Sequence, residues 1–465
     1  MTALSKASRV AVEFTEFVNK AVTPFHAVSV VMDELLANGY TRLPEGTPWP
    51  AIAPGQKAFF TRNDSSIVAF RVGDKFNSSS GLKLIGSHTD SPNFAIKPKS
   101  VSSKGAYHSV GVQCYGGGLW HTWFDRELTV AGRVIVKNPT NPLEMTSRLV
   151  YVPKNLLYLP TLAIHLRSAA EREAFGPHKE NHLVPIICSH FAESLSAPPA
   201  TETDDKTKKP SEQSVPLMRA IAAELGINTE DIVDFDLSIV DRQPAAIGGL
   251  HDEFIHAPRI DNLLSVFCSL KAIIEADSQL ADDDMVTVLA MFDHEEVGSS
   301  SPQGAGGSMV TELVDYVVGC DPTLKIQAVS NSFLLSVDGA HAAHPNYLDK
   351  HEEKHRPTLH LGPAIKYNAN VRYATTGVTS SVLKALATSA DIPVQQFCVK
   401  NDSPCGSTIG PILSTLSGIK TADLGNAMLS MHSIRETCGT VDVLYLKDLL
   451  AKFIVDFKKV AIQNI

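Results

Sequence analysis

The segment Val286–Phe292 reads VTVLAMF, and residues 293–296 follow it as DHEE. Seven residues without a charge, ending at acidic groups, are typical of a strand buried on both faces of a parallel sheet. Two other short runs have the same character: residues 83–87 end at His88, and residues 333–337 end at Asp338. Parallel strands bring their carboxyl ends to one edge of a sheet, where sites form in open α/β folds. The three runs therefore predict an α/β fold with a polar site at that edge.

Helix-forming segments lie on both sides of these strands. Apolar residues at helical spacing predict helices over residues 9–22, 25–38, 263–276, 378–390, 410–416 and 441–460. Between residues 95 and 244 the chain is instead rich in β-branched runs and turn residues. We therefore expect an α/β domain formed by residues 1–93 and 246–465, interrupted by a β-rich domain over residues 94–245. Within the insertion, residues 198–214 contain almost no apolar side chain and are expected to form a mobile surface loop.

Composition indicates a globular protein and limits its partners. The 465 residues are 44% hydrophobic and 20% charged, the usual balance of folded domains, and they contain no apolar run long enough for a transmembrane helix. The net charge of −9 argues against a nucleic-acid partner, because such proteins normally present a basic face. Seven scattered cysteines without a CxxC motif are typical of reduced intracellular thiols. Since the first residues do not form a secretory signal, we expect a cytoplasmic protein, with a vacuolar pool as the alternative.

Five positions at strand ends and loop junctions carry side chains that bind divalent metals. They are His88, Asp261, Glu296, Asp338 and His432. Two imidazoles and three carboxylates suit a pair of cations that share one ligand. In this scheme His88 and Asp338 bind one metal, Glu296 and His432 bind the other, and Asp261 bridges the two.

Two neighbouring carboxylates complete the predicted site. Asp90, two residues after His88, is expected to hold the imidazole in one tautomer from the second shell of ligands. Glu295 cannot easily reach the metal that binds Glu296, since adjacent side chains on an extended chain face opposite ways. Glu295 is therefore expected to act as the general base, taking a proton from the bridging water and passing it to the leaving amine.

Each part of this pattern also has an ordinary structural explanation. Adjacent glutamates are usually a solvated surface pair, and a single His-x-Asp sequence is a weak indicator of a metal. Asp261 could serve only as a helix N-cap, and His432 could be a plain core or surface histidine. It is the combination of the five positions, in this order and at strand ends, that favours a metal site.

Six longer segments are distinctive: GSHTDSP (86–92), APRIDNL (257–263), DHEEVGS (293–299), DGAHAAHPNY (338–347), NDSPCGSTIG (401–410) and SMHSIRE (430–436). Together they resemble the aspartyl aminopeptidases of the M18 metallopeptidase family. The resemblance implies a zinc-exopeptidase-like α/β/α catalytic domain with the β-rich insertion as a dimerisation domain. It also implies two zinc ions at the five ligand positions, Glu295 as the general base, and a tetrahedral dodecamer whose active sites face an internal chamber.

The resemblance also implies a substrate. The family removes N-terminal aspartate or glutamate from peptides, and its substrate contacts fall on His341, Lys366 and Tyr373. A histidine that reaches in from the neighbouring subunit falls on His165. A substrate carboxylate needs a fixed cation to offset its desolvation, and Lys366 is the candidate for that cation. Manganese and cobalt accept the same ligands as zinc and stay open as alternatives.

Three other functions stay compatible with the sequence. The first is a vacuolar-type M18 aminopeptidase that prefers neutral residues; such proteins carry a propeptide, whereas core-like helical sequence starts here by about Arg9. The second is a non-catalytic carrier cargo or scaffold shell, which would be expected to have lost Glu295 or a ligand. The third is a two-metal hydrolase that acts on phosphates or other amides.

Overall fold

The chain divides into two compact units in the computed structural model. One unit comprises Met1–Ser91 and Ala245–Ile465, and the other comprises Pro92–Pro244. The structure describes residues 3–141, 143–196, 212–319 and 321–461. Most of the loop predicted over residues 198–214 lies outside the described residues. Within them, no helix is both long and apolar enough to cross a bilayer.

The three predicted apolar runs are strands, and the run over residues 83–87 extends by one residue at each end. In chain order the strands are β1 (Thr41–Arg42), β2 (Lys57–Arg62), β3 (Ser66–Val72), β4 (Leu82–His88), β5 (Asn93–Lys104), β6 (Tyr107–Tyr115), β7 (Leu128–Lys137), β8 (Met145–Tyr151), β9 (Ile186–Ser189), β10 (Ile232–Asp241), β11 (Ala246–Gly248), β12 (Phe254–Ala257), β13 (Val286–Phe292), β14 (Phe333–Val337), β15 (Ala340–His341), β16 (Ala364–Lys366), β17 (Gln395–Phe397), β18 (Lys420–Gly425), β19 (Ala427–Leu429) and β20 (Glu436–Gly439).

The predicted helices are found near their expected positions, together with several that were not predicted. They are α1 (Ala3–Lys20), α2 (Pro24–Ala37), α3 (Ala169–Glu173), α4 (Lys179–His182), α5 (His190–Ser196), α6 (Val215–Leu225), α7 (Ile260–Ala276), α8 (Met309–Val318), α9 (Pro322–Asn331), α10 (Gly377–Ser389), α11 (Ile409–Ser417) and α12 (Thr440–Asp456). Helices α3–α5, α8 and α9 were not predicted; in the case of α8, the Gly- and Ser-rich residues 298–308 before it indicate a loop. The predicted helix over 441–460 ends earlier, at Asp456.

A nine-stranded sheet forms the centre of the first unit. Its strand order is β1-β2-β3-β13-β4-β14-β18-β16-β17. The strands β13, β4, β14 and β18 run parallel to one another, and β3 and β16 flank them in the antiparallel direction. The three apolar runs of the sequence are therefore adjacent parallel strands, as their composition predicted.

Helices cover both faces of this sheet. Successive strand residues alternate between two cores: Phe59 and Ile85 pack with side chains of α1, α2, α7, α10 and α12, whereas Phe60 and Leu84 pack with those of α8 and α11. This gives three layers of helix, sheet and helix, and it confirms the predicted α/β class.

A five-stranded sheet of the same unit carries the rest of the site. Its order is β11-β12-β20-β19-β15, with β12 antiparallel to β20 and β19 antiparallel to β20. The second unit contains a six-stranded sheet of order β8-β7-β10-β5-β6-β9, together with the short helices α3–α6.

Candidate metal centre and active site

Three adjacent parallel strands deliver the first group of predicted ligands. His88 is the last residue of β4, Asp338 directly follows β14, and Glu295 and Glu296 lie in the 3-10 turn Glu295–Val297 just beyond β13. Because β4 lies between β13 and β14, these side chains meet at the carboxyl edge of the sheet. The position of three candidates at strand ends follows the sequence prediction.

The other two predicted ligands lie next to strands of the five-stranded sheet. Asp261 lies in the first turn of α7, where its own backbone is not helical, with φ −77° and ψ 106°. Arg259 occupies the N-cap position before Ile260, and the non-helical dihedral angles of Asp261 mark a kink in the first turn. His432 lies between β19 and β20 in the left-handed region, with φ 67°.

The five side chains converge within ion-pair distances. His88 Nε2 lies 3.4 Å from Asp261 Oδ1 and 3.6 Å from Asp338 Oδ1. His432 Nε2 lies 3.5 Å from Asp261 Oδ2 and 3.4 Å from Glu296 Oε2. Asp261 therefore stands between the two histidines with one oxygen toward each, which is the arrangement expected of a bridging ligand.

The donor atoms of this cluster fit a metal ion. One ligand atom each from His88, Asp261 and Glu296 lies within 4.8 Å of the others. Among the described residues, Asp261 Oδ1 and Glu296 Oε1 are buried without a hydrogen-bond partner. A buried carboxylate oxygen left in that state is costly, and a divalent cation would satisfy it.

Asp90 organises the strand ends around His88. Its two carboxylate oxygens accept the backbone N–H groups of Glu295 and Glu296, each at 3.1 Å. His88 Nδ1 donates to the main-chain oxygen of Asp90 at 3.0 Å and lies 3.3 Å from its Oδ1. With Nδ1 as the donor, a neutral His88 turns the lone pair of Nε2 toward the cluster.

A comparison with known protein families shows to which family the chain belongs. The family model described as "Aminopeptidase I zinc metalloprotease (M18)" matches residues 17–454.

This chain belongs to the M18 family of zinc metalloproteases.

Relatives and solved structures agree with the M18 assignment. An aspartyl aminopeptidase of Dictyostelium discoideum is 45% identical, over 97% of each chain. A solved structure described as "Cryo-EM structure of the Ape4 and Nbr1 complex" has a TM-score of 0.92 at 40% identity, covering 100% of this chain and 89% of that chain. Another, described as "Structure of S. cerevesiae mApe1 dodecamer", has a TM-score of 0.84 at 28% identity and covers 97% of both chains. The M18 chain is therefore an enzyme, a hydrolase that acts as an aminopeptidase.

The M18 site concentrates negative charge in a buried place. Burial, and then the carboxylates of Asp338 and Asp90, raise the pKa of Glu295 to about 8 against the lowering effect of His88. Burial and the neighbouring Asp261 likewise raise the pKa of Glu296 well above its usual value. Such crowding of carboxylates is what divalent cations neutralise, so the electrostatics agree with zinc as the family's metal.

The histidines respond to the same charges in the opposite sense. Burial alone would lower the pKa of His88, but the carboxylates of Asp261 and Asp338 raise it well above its usual value. In turn, His432 and His88 hold the pKa of Asp261 far below the ordinary range in spite of its burial. The protonation of each of these side chains therefore depends on the others, and Asp261 interacts with both histidines.

The predicted substrate residues lie beside the predicted metal ligands in the M18 chain. His341, Lys366 and Tyr373 line the same cavity of about 440 Å³ as the ligands and Glu295. Lys366 is only 2% exposed; its Nζ donates to Gly339 O at 2.7 Å and lies 3.6 Å from Asp338 Oδ2. It also lies 5.0 Å from the ring centre of Tyr373.

His165 lies elsewhere in the M18 chain. It belongs to the second compact unit, in the exposed 3-10 helix Ile164–Leu166. Its contact with a neighbouring subunit stays a prediction.

One residue of the site was missed by the sequence analysis. Glu436, at the start of β20, is buried and its carboxylate accepts the backbone N–H groups of Asp261 and His432. Burial and the neighbouring Asp261 raise its pKa to about 8. The residue was part of the SMHSIRE segment, but its spacing gave no sign that it contacts the main chain of Asp261, 175 residues away.

Proposed function

We propose that this M18 chain removes N-terminal aspartate or glutamate from peptides, with two zinc ions per subunit and Glu295 as the general base. The observation that carries the proposal is the convergence of His88, Asp261, Glu296 and His432 around carboxylate oxygens that lack a hydrogen-bond partner. The names of relatives such as the aspartyl aminopeptidase of Dictyostelium discoideum support the acidic substrate.

The two ions would be held by the chain in two ligand sets. His88 and Asp338 belong to one set, Glu296 and His432 to the other, and Asp261 is shared, consistent with its two oxygens lying toward different histidines. When bound, zinc supplies Lewis-acid polarisation of the scissile carbonyl and of the attacking water.

Glu295 is suited to move the proton. Its side chain is 15% exposed, whereas that of Glu296 is 4% exposed, and its Oε2 lies 3.9 Å from His88 Nε2. It therefore borders the cluster and keeps access to the cavity. Glu295 takes a proton from water as the water oxygen bonds to the scissile carbon, and then gives that proton to the leaving amine nitrogen as the C–N bond breaks.

The acidic preference is assigned to Lys366. An ammonium group has three N–H donors, and Gly339 O and Asp338 account for two directions around Nζ. The third can meet a substrate carboxylate inside the cavity, where burial strengthens a charge-assisted hydrogen bond. Burial and the nearby Lys366 lower the pKa of His341, so His341 is suited to contact substrate as a neutral imidazole.

Hydrolysis of aspartyl, glutamyl and leucyl anilides by the full chain tests this function. The zinc-loaded protein is expected to cleave the two acidic substrates much faster than the leucyl one, and a chelator is expected to abolish all cleavage until zinc is restored. Faster leucyl cleavage would favour the neutral-preferring alternative. A zinc-loaded protein that cleaves none of them would support the non-catalytic shell.

The role of Glu295 is separated from that of its neighbour by a pair of variants. Glu295→Gln is expected to keep both zinc ions and the melting temperature while kcat falls about 10²–10⁴-fold, because it removes only proton transfer. Glu296→Gln is expected to lose zinc as well as turnover, because it removes a ligand. Elemental analysis measures the zinc content of each variant, and steady-state kinetics measure its kcat. Near-normal kcat in Glu295→Gln would exclude Glu295 as the general base.

We also propose that the chain assembles as a dodecamer built from dimers through its β-rich unit, with His165 entering the site of a neighbouring subunit. The proposal is supported by the solved relative described as a dodecamer, which this chain matches over 97% of its length. It is also consistent with the exposure of apolar side chains around His165, including Leu162, Ile164 and Leu166.

A further inference from the structure

Glu436 connects the two ligands that come from outside the nine-stranded sheet. Its Oε2 accepts the backbone N–H of Asp261 at 2.9 Å, and its Oε1 accepts the backbone N–H of His432 at 2.7 Å. The residue is 2% exposed, so water does not compete for these bonds. One carboxylate therefore sets the distance between two main-chain segments that both carry ligands.

Both amides lie in backbone that no regular hydrogen-bond ladder supports. Asp261 lies in the first turn of α7, where the N–H groups of a helix have no acceptor within it, and its own dihedral angles are not helical. His432 has a left-handed φ of 67°, a conformation that non-glycine residues keep only when their surroundings hold them in it. Buried N–H groups need an acceptor, and the carboxylate of Glu436 provides it for both.

The main chain of Glu436 is itself fixed by the sheet. Glu436 pairs with Ala257 at the end of β12, and the next residue, Thr437, pairs with Leu429 at the end of β19. The strand β12 leads into Asp261 and β19 leads into His432. The carboxylate thus projects from a rigid point midway between the two segments that it joins.

We propose that Glu436 is a positioning residue that holds Asp261 and His432 at metal-binding distance and thereby sets the affinity of the site formed with Glu296. It acts through the two ligands and does not touch the metal. Asp90 has the corresponding arrangement at the sheet edge, where it accepts the N–H groups of Glu295 and Glu296. The inference rests on the proposed two-zinc function and adds a residue that tunes it.

Two variants and a matched control test the inference on the full chain. Glu436→Ala removes both acceptors, whereas Glu436→Gln keeps the side-chain length and one acceptor oxygen. Asp442→Asn is the control, because Asp442 is another buried carboxylate that accepts two backbone N–H groups, from His360 at 2.6 Å and Gly362 at 3.0 Å, outside the metal cluster. Zinc stoichiometry and affinity are measured by competition with a chromophoric chelator, beside melting temperature, kcat and KM.

The wild type is expected to bind two zinc ions. Glu436→Ala should weaken one of the two by about 10–100-fold and Glu436→Gln by about tenfold, the range found when outer-shell partners of metal ligands are removed. Their kcat should recover at high zinc, with KM little changed. Asp442→Asn should lower the melting temperature but leave both zinc affinities unchanged.

Three results would overturn the inference or its basis in distinguishable ways. Wild-type affinity for both ions in Glu436→Gln would remove the positioning role, and this variant decides the matter if Glu436→Ala fails to fold. An equal loss of zinc in Asp442→Asn would show a general effect of stability instead. A wild type that binds fewer than two zinc ions would overturn the proposed two-zinc function itself.

Discussion

Two adjacent glutamates reach different surroundings from a single turn. Asp90 holds the backbone N–H groups of Glu295 and Glu296 side by side, so the main chain of both is fixed. The side chain of Glu296 then extends to His432, whereas that of Glu295 lies beside His88. One short 3-10 turn can therefore supply both a ligand and a base, because successive side chains leave the backbone in different directions.

Lys366 gives a prediction on selectivity. Lys366→Ala is expected to reduce kcat/KM for an aspartyl anilide about 10–100-fold more than for a leucyl anilide, because only the acidic substrate loses a charge-assisted hydrogen bond. Some loss on both substrates is expected, since Nζ also lies 3.6 Å from Asp338 Oδ2. Steady-state kinetics on both anilides measure the ratio.

The control for this prediction is Lys384→Ala. Lys384 lies over the ring of Tyr367 and does not line the cavity that contains the predicted metal ligands. It should leave the ratio of the two substrates unchanged. An equal loss on aspartyl and leucyl substrates in Lys366→Ala would refute the role of Lys366 in selectivity.

His26 gives a prediction on pH-dependent stability. Burial, and then the guanidinium of Arg259, lower the pKa of His26 to about 4, and its Nδ1 lies 2.8 Å from Thr23 Oγ1. The unfolded chain, with the ordinary pKa near 6.5, binds a proton more readily than the folded chain. The contribution of His26 to stability is thus complete above about pH 6.5 and is lost as the pH falls to about 4, by about 3 kcal/mol at most.

The measurement compares wild type with His26→Gln. The free energy of unfolding, measured in urea, should decrease more from pH 7 to pH 4 in the wild type than in His26→Gln, since glutamine does not titrate. Metal ligands titrate in both proteins, so only the difference between the two slopes reports on His26. Identical slopes would contradict the assignment.

At the scale of elements, the first helix supports the ligand-bearing helix from outside the site. Phe14 and Phe17 of α1 pack against Phe267 of α7, with ring centres 5.5 Å and 5.6 Å apart. The guanidinium of Arg259, at the N-cap of α7, donates to Val18 O and Ala21 O at the end of α1. The position of α7, and with it Asp261, thus depends on α1.

Phe14→Ala is expected to destabilise the fold by about 3–5 kcal/mol, because it leaves a cavity among fully buried rings. Val12→Ala, on the exposed side of the same helix, should cost less than about 0.5 kcal/mol. Denaturant unfolding measures both. Similar losses in the two variants would mean that the contact between α1 and α7 contributes little to stability.

At the scale of the whole molecule, assembly links the second unit to activity. Leu166 is 72% exposed and adjoins His165 in the 3-10 helix Ile164–Leu166. If this surface meets another copy of the chain, Leu166→Glu should place a charge in an apolar contact and disperse the particle. Native mass spectrometry should show twelve-chain particles for the wild type and smaller ones for the variant, with activity reduced in parallel.

Leu36→Glu is the control for assembly, because Leu36 is an exposed leucine on α2 of the other compact unit. It should leave the particle unchanged. A wild type that stays monomeric at micromolar concentration would contradict the proposed dodecamer.

The layered α/β class and the ligand candidates were predictable from local sequence patterns. Val286–Phe292 and its two companion runs are local patterns, and a strand that is apolar on both faces fits only the interior of a sheet covered by helices. His88, Glu296 and Asp338 could be placed at one edge because parallel strands end together. Helices such as α8 could not be placed, since the glycine-rich residues before it conceal where the helix begins.

How the remote ligands are held becomes visible only once the chain has folded. Asp261 follows β12 and His432 precedes β20, two paired strands of a second sheet that lie far apart in the chain. No local sequence pattern indicates that these two strands pair. The two-sided acceptor role of Glu436 and the pairing of Lys366 with Asp338 exist only after those strands meet. Hydrogen bonds between residues distant in sequence depend on how the chain packs. The spacing of residues along the chain does not show which of them come within hydrogen-bond distance.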